Sequence, residues 1–131
     1  MLFVFMSSDK KTILIAEDEK PMALILERKL KLSGFEVKVT HDGEKALAAI
    51  AEGGVDLVIL DLIMPKLNGF GVLEAMKKQK LKMPVIVLSN LSQDEDEARV
   101  KELGASAFFI KSNVSMEQVV KIVKYCLKIK D

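Results

Sequence analysis

Short aliphatic or β-branched runs that end in a polar residue recur along this chain, each followed by a segment with helical spacing. The first run, Thr12–Ala16, passes directly into Glu17-Asp18. Residues 35–40, Phe-Glu-Val-Lys-Val-Thr, alternate with period two, as a strand with one less buried face does at the edge of a sheet. Leu57–Leu60 is a continuous apolar run, suited to a central strand covered on both faces, and it ends in Asp61. Residues 85–88, introduced by Pro84, end in Ser89, and Ala107–Ile110 ends in Lys111. Parallel strands need a crossover of helix length between them, so this alternation predicts an α/β architecture with a parallel sheet.

The intervening segments carry their own start and stop signals. Residues 21–32 place Met22, Ile25, Leu26 and Leu30 at helical spacing, with Gly34 as the stop. Asp42-Gly43 opens a second helix with Ala46, Leu47 and Ile50, closed by Gly53-Gly54, and Asn68-Gly69 leads into a third over Val72, Leu73 and Met76. Ser92-Gln93-Asp94-Glu95 reads as a capping box before a fourth helix that stops at Gly104, and Ser115-Met116-Glu117-Gln118 as another before the fifth. In the last helix Val119, Val120, Val123, Cys126 and Leu127 form the inner face; Lys121, Lys124, Lys128 and Lys130 lie outside or near the C-terminal end, where they complement the helix dipole. The predicted fold is a doubly wound five-stranded parallel sheet with five helices on its two faces, joined by right-handed crossovers. Residues 10–131 form the expected domain, and residues 1–9 an extension ahead of it.

Composition narrows the function classes. Lys and Arg number 20 against 19 Asp and Glu, which argues against a protein whose main work is coating nucleic acid or acidic membranes. One Cys (Cys126) and one His (His41) leave neither an internal disulfide nor a Cys/His zinc site, and a reducing cytoplasm is the expected location. No apolar run approaches the ~20 residues that span a bilayer, so no membrane insertion is expected. Met1 to Met6 are almost wholly apolar but lack the basic region and the ~7–15-residue apolar length of a signal peptide.

In a doubly wound sheet the functional crevice lies outside the carboxyl ends of the strands, at the topological switch point. The residues there are Glu17 and Asp18, Asp61, Ser89 and Lys111. Each alone reads more simply as a turn residue, a helix cap or a solvated charge. Together, three carboxylates on one crevice repel one another unless a cation joins them, and an oxygen-only set with open positions suits Mg²⁺, or Mn²⁺ in its place. Lys111 adds a positive point charge and Ser89 a hydroxyl donor, which describes a site for a phosphoryl group beside a metal ion.

The chain resembles the receiver domain of bacterial two-component response regulators, and in size the stand-alone chemotaxis type. The resemblance covers about residues 10–130. It rests on Ile13-Leu14-Ile15-Ala16-Glu17-Asp18-Glu19, on Leu60-Asp61-Leu62-Ile63-Met64-Pro65 with Asn68-Gly69, on Val87-Leu88-Ser89-Asn90, and on residues 104–111 ending in Lys111. It implies the flavodoxin-like strand order 2-1-3-4-5. It implies that Asp61 is the phosphoacceptor, taking a phosphoryl group from a sensor histidine kinase or phosphotransfer protein. Glu17, Asp18, Asp61 and the backbone carbonyl of Ile63 would hold Mg²⁺, and Lys111 would contact the phosphoryl oxygens. Ser89 would swing towards the phosphoryl group and Phe108 would follow inward, altering the face of helix four, strand five and helix five for an effector on a separate protein. The expected role is a signalling switch, not an enzyme with turnover, and without direct nucleic-acid contact.

Four positions depart from the family pattern, among them Asn90, which is bulkier than the small residue common after the switch hydroxyl. Ser112 stands where a Pro in a cis bond usually follows the Lys; a cis bond before a non-proline costs ~2.5–4 kcal/mol, so a trans bond is expected. Ile63 offers its carbonyl as well as any residue would, but its apolar side chain is expected to hinder an attacking water. Phe108 lacks the Tyr hydroxyl often found there. Two rival readings are an Asp-nucleophile phosphohydrolase, whose Asp-x-Asp pattern Asp61-Leu62-Ile63 lacks, and a receiver-like interaction module that is not phosphorylated. His41 reads as a surface residue and the Met residues as core filler.

Overall fold

The computed structural model describes residues 10–129. Among them a five-stranded parallel sheet forms in the order β2-β1-β3-β4-β5. Its strands are β1 (Thr12–Ala16), β2 (Glu36–Thr40), β3 (Leu57–Leu60), β4 (Val85–Ser89) and β5 (Ala107–Ile110). The crossovers are α1 (Lys20–Leu32), α2 (Gly43–Glu52), α3 (Gly69–Lys78) and α4 (Asp94–Glu102), and α5 (Met116–Cys126) follows β5. The alternating segment at 36–40 is the edge strand β2, as predicted, and the uniformly apolar Leu57–Leu60 is central and wholly buried. Residues 1–9, the predicted extension, and Lys130 lie outside the described residues.

Period-two alternation sorts the sheet into two layers of core. Leu14, Ala16, Val58, Leu60, Val85 and Val87 pack with α2, α3 and Val100 of α4. Ile13, Ile15, Leu57, Ile59, Ile86 and Leu88 pack with Ala23, Leu26 and Leu30 of α1 and Val119, Val120 and Val123 of α5. Met64 and Met76 are buried in the first layer, as expected of filler, while Cys126 and Leu127 are only partly covered in the second.

Helix boundaries follow the sequence signals in most places. Asp42 caps α2 by accepting from the Lys45 N–H at 2.8 Å. Ser115 and Gln118 form a complete capping box at α5. Gly34, at φ +98°, supplies the left-handed residue after α1. The exception is α4: the predicted box at Ser92 does not form, and the helix starts one residue later, with Gln93 at the N-cap and no side-chain cap bond. Asp94, Glu95, Asp96 and Glu97 fill its first turn, so acids complement the helix dipole there without a hydroxyl cap.

Candidate functional site

The parallel register sets Glu17, Asp61, Ser89 and Lys111 along one end of the sheet. Ala16 pairs with Leu60, Leu60 with Val87, and Ser89 with Ile110. The ladder continues one step past β1 and β3, with the Glu17 N–H donating to Thr40 and the Asp61 N–H to Ala16, both at 3.0 Å. Glu17, Asp61 and Lys111 extend the phase of Ile15, Ile59 and Phe109, whereas Ser89 extends that of Val87.

Lys111 is the centre of the cluster. Its Nζ lies 2.7 Å from Glu17 Oε1, 2.7 Å from Glu19 Oε1 and 2.8 Å from Asp61 Oδ2. Glu17, Asp61 and Lys111 are buried, while Glu19 stands on the open side. Asp61 is fixed further by the Ile63 N–H, which donates to Oδ1 at 3.2 Å, and Glu17 by the Glu19 N–H, which donates to Oε2 at 3.1 Å. Three carboxylates surround one ammonium, so the site carries surplus negative charge when all are ionised. Burial, with the charge of Asp61 adding to it and the bond from Lys111 opposing it, pushes the Glu17 carboxyl up to about 7. Burial works against the Lys111 charge, but the bonds to Asp61, Glu17 and Glu19 outweigh it and hold the ammonium above its usual range.

The loop after Asp61 is held by close backbone approach. A Cβ on Gly69 would collide with the Asp61 carbonyl oxygen and come within 2.7 Å of Leu62 Cα. The Gly69 N–H donates to the Leu62 carbonyl at 3.0 Å, and Asn68 caps α3 by accepting from Gly71 at 2.9 Å. A Cβ on Gly43 at the start of α2 would collide still more severely with the Leu67 carbonyl oxygen. Ile63 itself is exposed at the mouth.

The structure brings Glu17, Asp61 and Lys111 together; Ser89, fully buried at the end of β4, has its Oγ accepting from the Leu91 N–H at 3.4 Å. Asp18 is half-buried and lies outside the group whose carboxylate oxygens converge within 4.8 Å; that group is Glu17, Glu19 and Asp61. Sequence reasoning missed Glu19, which reads as the first residue of a helix cap. Its side chain makes no cap bond because its carboxylate is turned to Lys111. Phe108 is half-buried, beside a hollow of about 210 Å³ lined by Val100, Lys101 and Ala105. His41 is exposed, with Nδ1 donating to the Glu17 carbonyl at 2.9 Å, and takes no part in the carboxylate group. No described bond is cis, and Lys111–Asn113 form a single 3₁₀ turn into α5.

The carboxylate group is able to hold a metal ion: three oxygen donors converge, two of them buried, with more negative charge than Lys111 alone balances.

This sheet order, with an acidic group and a lysine at the carboxyl ends, defines a receiver of the two-component type. The family model for "Response regulator receiver domain" matches residues 13–124, and the chain belongs to that family. Among curated relatives it is 39% identical over 102 residues to the "Probable transcriptional regulator ycf27" of Porphyridium aerugineum, covering 78% of this chain and 42% of that one. It is 35% identical over 101 residues to the "Alkaline phosphatase synthesis transcriptional regulatory protein PhoP" of Bacillus subtilis, covering 77% and 42%. The chain thus spans about half or less of the length of the curated relatives it matches. Among solved structures, the receiver domain of Francisella response regulator 1452 superposes with a TM-score of 0.86 at 28% identity, covering 91% of this chain and 98% of that one. The signal receiver domain of a Syntrophus aciditrophicus histidine kinase does so at 0.82 and 31%, covering 90% of each. No helix among the described residues is long and apolar enough to cross a membrane.

Proposed function

We propose that Asp61 is the phosphoacceptor of this receiver, taking a phosphoryl group from a phosphohistidine on a sensor kinase or phosphotransfer protein. The observation that carries this reading is the buried Asp61 carboxylate 2.8 Å from the Lys111 ammonium, at the end of a central strand. An Asp61 oxygen attacks phosphorus, the P–N bond to histidine breaks, and an acyl phosphate forms. Phosphoryl transfer of this kind needs positioning and charge neutralisation more than covalent machinery.

Glu17, Asp61 and the Ile63 carbonyl would hold Mg²⁺, or Mn²⁺ in its place, with Asp18 turning in to join them. The hard oxygen set and the surplus charge fit such an ion. When bound, it supplies charge neutralisation for the phosphoryl oxygens. Lys111 orients the acceptor beforehand and offers an N–H to a phosphoryl oxygen afterwards. Ser89 turns its hydroxyl from the Leu91 N–H to the phosphoryl group. Ser89 and Phe108 share the layer of α2, α3 and α4, and Val87 pairs with Phe108, so a shift at Ser89 reaches Phe108 through one strand pair. The hollow beside Phe108 gives the ring room to move, altering the face of α4, β5 and α5. This is a two-state equilibrium biased by one local charge event.

The effector that reads the altered face is a separate protein or, as the length of the relatives also allows, a domain on the same polypeptide. A cytoplasmic location agrees with both. Incubation with a small acyl phosphate and Mg²⁺ will add one phosphoryl mass to the wild type and none to Asp61→Asn. Label that persists in Asp61→Asn would remove Asp61 from the role.

A further inference from the structure

We propose that Glu19 is a positioning residue that holds Lys111 back from the phosphoryl group. The inference rests on the reading of Asp61 as acceptor and adds a competitor for its lysine.

An ammonium has three N–H donors, and each donor of Lys111 has a carboxylate oxygen within 2.8 Å. No donor remains for a phosphoryl oxygen unless one carboxylate lets go. Glu17 and Asp61 are poor candidates for release, since both are buried and each has a second oxygen engaged by a backbone N–H. Glu19 differs: its side chain is 60% exposed against 2% for Glu17 and 4% for Asp61. Water receives its carboxylate at little cost, so it is the partner that leaves first.

The backbone of Glu19 is fixed while its side chain is free to exchange. Its carbonyl accepts from the Ala23 N–H at 3.0 Å, and Pro21 follows in the first turn of α1. A carboxylate here is favourable to the helix dipole in any fold. That general preference does not account for the direction of the side chain, which makes no cap bond and reaches a lysine 92 positions away. The arrangement is a reversible hold on one ammonium proton, released when a phosphoryl oxygen on Asp61 takes the place of Glu19.

The test compares the wild type with Glu19→Gln and Glu19→Asp. Glu19→Asp keeps the charge but is one methylene short of Lys111. Three quantities are read: exchange of the Lys111 ammonium protons by NMR without metal, Mg²⁺ affinity without phosphodonor, and the concentration of a small acyl phosphate that half-saturates labelling of Asp61. Both variants should exchange the ammonium protons faster. Both should lower the half-saturating donor concentration by roughly two- to fivefold, the worth of one part-exposed ion pair, and any loss of Mg²⁺ affinity should be confined to Glu19→Gln, which alone removes the negative charge. A gain in Glu19→Gln alone would reduce the effect to repulsion of an anionic donor and overturn the hold. Lost Mg²⁺ affinity in both variants would make Glu19 a metal ligand instead. Unchanged ammonium exchange in Glu19→Asp would overturn the contact itself. A wild type that takes no label on Asp61 would overturn the acceptor reading and with it the competition, while the exchange measurement would still report the contact separately.

Discussion

Lys111 and Asp61, 50 positions apart in the chain, meet at 2.8 Å with side chains only 5% and 4% exposed. Neither is stable there alone. The lysine keeps its charge because its bonds to Asp61, Glu17 and Glu19 outweigh the cost of burial.

Replacement of Lys111 by Met should therefore destabilise the fold although the volume is nearly kept. Removal of one partner of a buried ion pair costs roughly 3–5 kcal/mol, because the other charge stays buried. Urea unfolding at pH 8 should show this loss, and Mg²⁺ should restore much of it by taking over the charge balance. A variant as stable as the wild type without metal would contradict the ion-pair account.

The raised Glu17 carboxyl makes a pH prediction with a definite sign. The folded state binds this proton more tightly than the unfolded chain, whose group titrates near 4.5. Its contribution to stability is fully present below pH 4.5 and is lost as the pH rises through about 7. The difference in unfolding free energy between wild type and Glu17→Gln should shift by up to roughly 3 kcal/mol across that window and level off above it. A bound divalent cation takes the place of the proton, so Mg²⁺ should stabilise the protein more at pH 8 than at pH 5.

Gly69→Ala should be costly, since the new methyl meets the Asp61 carbonyl and Leu62, both backbone. The expected loss is roughly 1–3 kcal/mol in urea unfolding, together with slower labelling as the Asp61 backbone is displaced. Gly53→Ala, where a Cβ meets nothing within 4 Å but φ +88° and ψ 173° lie in a region essentially reserved for glycine, should cost roughly 1–3 kcal/mol from backbone strain alone and leave labelling unchanged.

Ile63→Asn tests the apolar mouth. The Ile63 backbone already bonds Asp61 Oδ1, and the residue is 53% exposed. Exchange for a polar side chain should admit water and shorten the acyl phosphate lifetime by roughly two- to tenfold, a barrier change of at most about 1.4 kcal/mol. An unchanged decay rate would show that Ile63 does not guard the bond.

The strands were legible because each buried run ends abruptly in a polar residue, and for parallel strands those ends share one edge of the sheet. Glu17, Asp61, Ser89 and Lys111 could thus be placed side by side from their positions alone. Glu19 could not. A carboxylate at the start of a helix satisfies a local preference, and nothing near it in the sequence reveals a lysine that only the crossovers bring within reach. The start of α4 failed for a related reason: Ser92 and the acids after it all suit a helix N-terminus, so composition marked the region and left the boundary residue open.

Consecutive residues of β5 face opposite ways, Phe108 into the layer with α2, α3 and α4, and Phe109 into the layer with α1 and α5. Among the described residues the strand is hydrogen-bonded to β4 alone. Torsion of this strand about its own length would press one ring inward while lifting the other. A single phosphoryl event near its end would then be broadcast in two directions with opposite sign, tightening one side of the domain as it loosens the other.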